Sequence, residues 1–313
     1  MSYAELMGFK KNFGFYDGPQ GMPCNLTIIT LPGATVTITL GAETHTTTAN
    51  ADGRASFTIG NAGLWSVVSV KDDVTQVGTV QVENVVTKAL ALPAPLESLT
   101  WSEISAISRA GLAAQNFAIG DTKTFRLSTG EEIIAEIIGF DHDDIDDGSV
   151  ATYGRTKAGI TFDTKNVMAS TKRMSSSSVT WRTTEMRLTT LPAIEEQLPA
   201  ELKNKIATVK KYTANDFFVP ATIETTAEHL FILSREECNF ANTQHPGEGS
   251  AYEFYKRNTT IKTHNSGGAS SWWNRSPLYS GSTKYFGIVA SGTGIATSSV
   301  ATDARGLAFA FCI

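Results

Sequence analysis

The chain predicts a mainly β protein, an antiparallel β-sandwich followed by an α+β domain. Three observations carry this. Residues 25–92 alternate apolar and polar side chains with a period of two, cut by turn signals every ~8–12 residues. Thr and Ser are plentiful while only 18% of residues are charged, and β-branched Thr fits a pleated surface. After a proline-rich stretch at 93–97, helical and strand-like patterns mix.

Taken in order, residues 1–23 read as an arm, mixed and Gly-rich, with Phe9, Phe13, Phe15 and Tyr16 spaced along it. Aromatics in a loop-like arm are expected to pack on something, and these four are assigned to docking on the chain's own domain or on a partner subunit. The β-sandwich is placed at residues 24–92. Its alternating sets include Leu26 and Ile28, Val36 and Ile38, Ala55, Phe57 and Ile59, and Trp65 and Val67. Pro32-Gly33, Gly41, Asp52-Gly53 and Gly60-Asn61 mark the turns. Pro93 and Pro95 stiffen the linker at 93–97, because proline fixes its own backbone and restricts the residue before it.

The second domain is placed at residues 98–313. Thr100 and Glu103 form a capping box for a helix carrying Trp101, Ile104, Ile107 and Leu112 at helical spacing. Strands are expected at 122–127 and 132–140, a helical stretch at 191–211 with its main run at 200–211, and a short helix at 224–234. Lys203, Lys205, Lys210 and Lys211 then read as a solvated helix face. The last forty-odd residues read as one unit of short antiparallel strands holding polar loops outward. Trp272-Trp273-Asn274-Arg275-Ser276-Pro277 opens it and residues 306–313 close it.

Net charge is −5 and the isoelectric point about 5.6. A general binder of nucleic acid or anionic membrane needs a basic footprint, so neither partner is expected. Cys24, Cys238 and Cys312 are sparse, odd in number and lack a Cys-x-x-Cys, which predicts packed free thiols and no disulfide framework. Residues 1–11 hold no apolar signal core, and no apolar run reaches ~18 residues. The expectation is synthesis in the cytoplasm without export by the usual route.

Several constellations hold residue types that can do chemistry. Asp141-His142-Asp143-Asp144-Ile145-Asp146-Asp147-Gly148 is the densest acidic cluster. A calcium loop wants oxygens at alternate positions, and Ile145 interrupts them, so a solvated loop with Asx-turns is expected instead. His142 is read as hydrogen-bonded and structural. His229, His245 and His264 lack zinc spacing, and no Gly-x-Ser-x-Gly or phosphate-binding loop occurs. Gly292-Thr293-Gly294 reads as a hairpin turn. No metal, cofactor or catalytic residue is assigned.

Pro32-Gly33-Ala34-Thr35-Val36-Thr37-Ile38 with Asn50-Ala51-Asp52-Gly53-Arg54-Ala55-Ser56-Phe57 resembles immunoglobulin-like modules of the carboxypeptidase-regulatory or prealbumin-like type, which are spacer or adhesion domains. The second domain resembles a family of unknown function common in gut bacteria and their phages. The matching pieces are Ile119-Gly120-Asp121, Ile138-Gly139-Phe140-Asp141-His142, Lys157-Ala158-Gly159-Ile160-Thr161-Phe162, Glu185-Met186-Arg187, Gly247-Glu248-Gly249-Ser250 and the terminal segments. That family is similar to C-type-lectin folds, whose ligand surface lies on loops over a small sheet near the C-terminus. In the commonest family ending an Arg follows a Gly-Val pair; here Arg305 precedes Gly306.

The resemblance implies a phage virion structural protein, located in the virion, homo-oligomeric, and in contact with other virion proteins. It would display a lectin-like domain for host attachment through a bacterial-surface or mucus glycan or protein. The ligand-facing set is Tyr279, Ser280, Ser282, Lys284, Tyr285, Ser291, Thr293, Ser298, Ser299 and Thr302, because Tyr and small polar side chains make adaptable contacts. Trp272, Trp273 and Arg275 are assigned to the framework, with a sugar-stacking role for the tryptophans as the alternative. Two rival functions stand: a capsid or tail decoration protein that stabilises the particle, and a bacterial surface protein exported by a non-classical route.

Overall fold

A computed structural model describes residues 23–313 apart from 73, 84–86, 93 and 266. The expected docking residues Phe9, Phe13, Phe15 and Tyr16 lie outside the described residues. The protein is mainly β and divides into two compact units. One takes in the described residues up to Pro95 with Ser102–Leu112, and the other Leu96–Trp101 with Ala113–Ile313. No helix among the described residues is long and apolar enough to cross a membrane.

Among the described residues the first unit holds seven strands: β1 (Cys24–Ile29), β2 (Thr35–Leu40), β3 (Glu43–Thr48), β4 (Arg54–Ile59), β5 (Gly63–Lys71), β6 (Val74–Val82) and β7 (Thr87–Ala91). They form two sheets, ordered β4-β1-β7 and β3-β2-β5-β6. All pairs are antiparallel except β1 with β7, which is parallel and departs from the all-antiparallel expectation. The period of two sends Leu26, Ile28, Val36, Ile38, Phe57, Trp65 and Val67 into one core. The turn into β4 is built by Asn50, whose side-chain oxygen accepts from the amides of Asp52 and Arg54. Gly53 completes it at φ +71°, and a Cβ there would sit 2.2 Å from the Thr30 carbonyl oxygen, so only glycine fits.

The outward face of the four-stranded sheet has a distinct chemistry. It presents Thr35, Thr37 and Thr39 on β2, Thr44, Thr46 and Thr48 on β3, Leu64, Ser66, Val68 and Val70 on β5, and Thr75, Val77, Thr79 and Gln81 on β6. None is charged.

The chain continues through helix α1 (Trp101–Arg109), helix α2 (Ala113–Asn116), strands β8 (Thr122–Arg126) and β9 (Glu132–Phe140), helix α3 (Val150–Tyr153) and strand β10 (Ile160–Thr164). Helices α4 (Leu191–Glu195) and α5 (Ala200–Lys203) follow, then strands β11 (Val209–Ala214), β12 (Ile223–Glu228) and β13 (Leu230–Phe231), and helix α6 (Glu253–Arg257). Strands β14 (Lys262–Thr263), β15 (Ala269–Ser270), β16 (Trp272–Ser280), β17 (Thr283–Val289), β18 (Ala296–Ser299) and β19 (Ala310–Cys312) complete it. The main sheet has the order β13-β19-β10-β9-β8; β16-β17-β18 form a separate antiparallel sheet.

Three expectations are corrected. The run at 200–211 is not one helix: α5 stops at Lys203, and β11 begins at Val209. Val209, Lys211 and Thr213 point inward at every second position, and Lys211 is buried with a carboxylate partner. Its charge belongs to the core and not to a solvated helix face. The helix expected at 224–234 is strand β12 followed by β13; consecutive Thr225 and Thr226 are β-branched and pair with Tyr212 and Lys211 across β11. The C-terminal segment does not share a sheet with the tryptophan hairpin. It meets β16 at Gly306, then leaves to run as β19 beside β10.

The three cysteines are buried and unbridged. Gly292-Thr293-Gly294 turns the chain between β17 and β18, with the Gly294 amide donating to the Ala290 carbonyl.

Candidate functional site

Strand β16 carries the site and is anchored from below. Pro277 has no N–H to give the ladder, and pairing with β17 slips between Trp273 and Pro277. In the slipped stretch the Arg275 amide donates instead to the Leu233 carbonyl, and the side chain is aimed into the core. Arg275 is wholly buried. Its guanidinium donates to both Glu237 oxygens at 2.5 and 2.9 Å, to the Thr213 hydroxyl at 3.0 Å, and to the carbonyls of Ile232, Tyr212 and Glu248. Such a fork is satisfied on every side, which a buried charge requires. Trp272 and Trp273 are buried too, with their indole N–H groups donating to the carbonyls of Thr260 and Lys172. All three are framework, and neither tryptophan offers a face to a sugar.

Beside this fork lies a second buried pair. The Lys211 ammonium donates to Asp143, to Glu237 at 3.1 Å and to the Tyr252 hydroxyl at 2.7 Å. Asp143 also accepts from the Thr161 hydroxyl at 2.5 Å. Burial alone would raise the Asp143 pKa; the Lys211 charge and these hydrogen bonds overcome it and hold the carboxyl at about 2. Asp143 is therefore not part of a solvated loop. Its neighbours Asp141, Asp144 and Asp147 pair with Arg155, Lys157 and Lys210. His142 stacks on Tyr252 at 4.0 Å between ring centroids, and its ring nitrogen lies 3.4 Å from the Ser250 hydroxyl. A cavity of about 370 Å³ opens here, rimmed by His142, Tyr212, Gly249 and Ser250. Its rim lysines Lys157 and Lys210 are spent on carboxylates.

The outward side of β16 and β17 forms a groove of about 220 Å³ with the segment that follows β13. That segment is tied down at several points. The Gln244 amide clasps the Tyr279 backbone, donating to its carbonyl and accepting from its N–H, both at 2.9 Å. Glu236 accepts from the amides of Gly247 and Glu248. Glu248 accepts from the Ala214 amide at 2.9 Å and the Asn242 side chain at 2.8 Å. Burial pushes the Glu248 carboxyl up to about 7, against the hydrogen bonds from Ser276 and Ala214 and the nearby charge of Arg275.

Of the ligand-facing set, the structure brings Tyr279, Ser280, Tyr285 and Ser298 together in this groove. Lys284 lies over the rings of Phe217 and Phe218 at 5.3 and 5.6 Å, and Phe218 in turn packs on Tyr279. Ser282, Ser291, Thr293 and Thr302 are exposed but do not line the groove. Ser299 is buried: it donates to Asp303 and accepts from Arg305, so it is removed from the ligand-facing set. That contact also gives Arg305 a place, holding the turn that leads to Gly306. The sequence reading missed Arg235, Asn242, Thr243, Gln244, Leu278 and Thr297. Most come from a segment without apolar periodicity, where only the amide and glycine content hints at a built loop.

The groove and its supporting sheet fall within residues 156–313, which match a family described as a domain of unknown function, DUF6273. The match spans just over half of the 313 residues, and the chain belongs to that family. No curated protein and no solved structure gave a match.

Proposed function

We propose that this is a phage virion structural protein whose second domain is a non-catalytic, lectin-like recognition module for a host-surface or mucus glycan or protein. In this reading the first unit is an immunoglobulin-like spacer and residues 1–23 dock the chain to the particle in a homo-oligomer. One observation carries the proposal. Two half-buried tyrosines and several small polar side chains share a groove on a hairpin that a fully satisfied buried arginine holds rigid. Rigid strands presenting Tyr and Ser suit adaptable binding at low entropic cost. The test is saturable binding of the labelled full-length protein to host cells, beside a variant with Tyr279, Lys284 and Tyr285 changed to Ala. Binding lost in the variant supports the reading; no binding even in multimeric form removes it.

A second reading, a decoration protein stabilising the particle, draws on the uncharged Thr and Val face of the β3-β2-β5-β6 sheet. Leu64, Val68, Val70 and Val77 are exposed there, and such a surface suits packing in a lattice. Removal of residues 1–23 distinguishes arm from face. Loss of particle association assigns docking to the arm, and retention assigns it elsewhere.

A further inference from the structure

We propose that the groove on β16 and β17 takes the carboxylate of an acidic sugar, with Arg235 as its charge partner. The inference rests on the recognition reading above and names the ligand class for the same groove.

Arg235 is placed with care. Its amide donates to the Ser276 hydroxyl at 2.9 Å. Its stem lies across β17 at Gly287, where a Cβ would come within 3.1 Å of the Arg235 Cγ, so the strand gives up a side chain to seat the arginine. The guanidinium is left short of partners. Among the described residues its one hydrogen bond is a long 3.4 Å contact from Nη1 to the Thr297 carbonyl, and Nε is buried with no hydrogen-bond partner there. Among the described residues no carboxylate pairs with it, whereas Arg182 and Arg187 in the same domain are spent on Glu224 and Glu228. Glu248, whose charge acts on Arg235, is engaged by Ala214 and Asn242. A partly buried guanidinium without a partner costs stability, and a carboxylate received by its fork restores what burial removed.

The rest of the groove limits what carries that carboxylate. At about 220 Å³ it lies below the roughly 300–1,000 Å³ of drug-sized sites and fits one ring. Tyr279 and Tyr285 supply apolar faces and phenolic hydroxyls, and Ser280 and Ser298 supply further hydroxyls. Apolar faces beside hydroxyls match a pyranose, which has C–H faces and an OH rim. With a net charge of −5 the protein does not attract anions at long range, so selectivity for one has to be built locally, as Arg235 does.

The experiment uses the full-length protein against multivalent glucuronic acid, its neutral twin multivalent glucose, and a multivalent peptide ending in a free carboxylate. The expected result is a roughly 10- to 100-fold preference for glucuronic acid over glucose, the worth of one charge-assisted pair. Arg235→Gln loses that preference, and Arg235→Lys keeps part of it. Thermal unfolding of both variants checks folding, and if Arg235→Gln fails to fold, the glucose comparison and Arg235→Lys decide alone. Equal binding of glucose, an unaffected Arg235→Gln, or no binding to any probe overturns the proposal. Equal binding of the peptide overturns the sugar assignment. Host-cell binding lost in the Tyr279, Lys284 and Tyr285 variant, with no preference for glucuronic acid, sinks this inference while the recognition reading stands.

Discussion

Replacing Lys211 by Met tests whether the buried charges hold the second domain together. Lys211 and Asp143 have side chains only 1% and 4% exposed. Glu237 keeps Arg275 in the variant, but Asp143 is left with two hydroxyls and no cation. Removing one partner of a buried pair costs about 3–5 kcal/mol, a large part of the 5–15 kcal/mol that holds a typical domain. The pH dependence gives the sharper signature. In the parent protein the Asp143 carboxyl sits at about 2, below its ordinary 3.8. It therefore contributes stability that is present above pH 3.8 and fades as pH falls towards 2, worth about 2 kcal/mol by linkage. Without Lys211, burial dominates and raises the carboxyl above its unfolded value, so the variant recovers as Asp143 takes up its proton. The assay is urea unfolding of the full-length protein at pH 7 and pH 4.5, followed by tryptophan fluorescence. Four of the five tryptophans, all but Trp65, belong to the second unit. A deficit below about 1 kcal/mol, or one that is the same at both pH values, refutes the argument.

Other substitutions separate the remaining devices. Glu248→Gln should flatten stability between pH 5 and 8 in a urea series. The Glu248 carboxyl, raised to about 7 from 4.5, favours the fold below pH 4.5 and loses that contribution as pH rises through 7. Gly53→Ala should lower the stability of the first unit by about 3 kcal/mol or more, combining strain at positive φ with overlap on the Thr30 carbonyl; hydrogen exchange on β1 and β4 reads it. Trp273→Phe leaves the Lys172 carbonyl without its indole donor and opens a void, so thermal unfolding should show a loss of about 2 kcal/mol.

The first unit was largely legible, because Leu26, Val36, Phe57 and Trp65 alternate with polar residues and Asn50 to Gly53 spells out its turn. The run at 200–211 was not. Leu202, Ile206 and Val209 fall at helical spacing, and what decides for β11 is a carboxylate on Asp143, 68 residues away. The helix expected at 224–234 was more avoidable, since Thr225 and Thr226 favour a strand. In the groove, Tyr279 and Tyr285 stood out as aromatics in polar surroundings. Arg235 and Gln244 did not, because nothing local shows that the segment folds back on β16. The family match begins at residue 156, yet β8, β9 and Asp143 precede it and complete both the sheet and the ion pair.

The position of β19 bears on how the protein is made. It lies between β13 and β10 in the main sheet, and Thr161 waits for Cys312, 151 residues later. At the ~5–20 residues per second of protein synthesis, that is on the order of 8–30 s from one strand to the next. Through that interval β10 offers Ile160 and Phe162, both wholly buried in the finished domain, on an unpaired edge open to other chains. The long-range pairing also makes closure slow once β19 arrives. Yield in the cell should therefore follow chaperone supply and growth temperature more closely than it follows the stability of the finished fold.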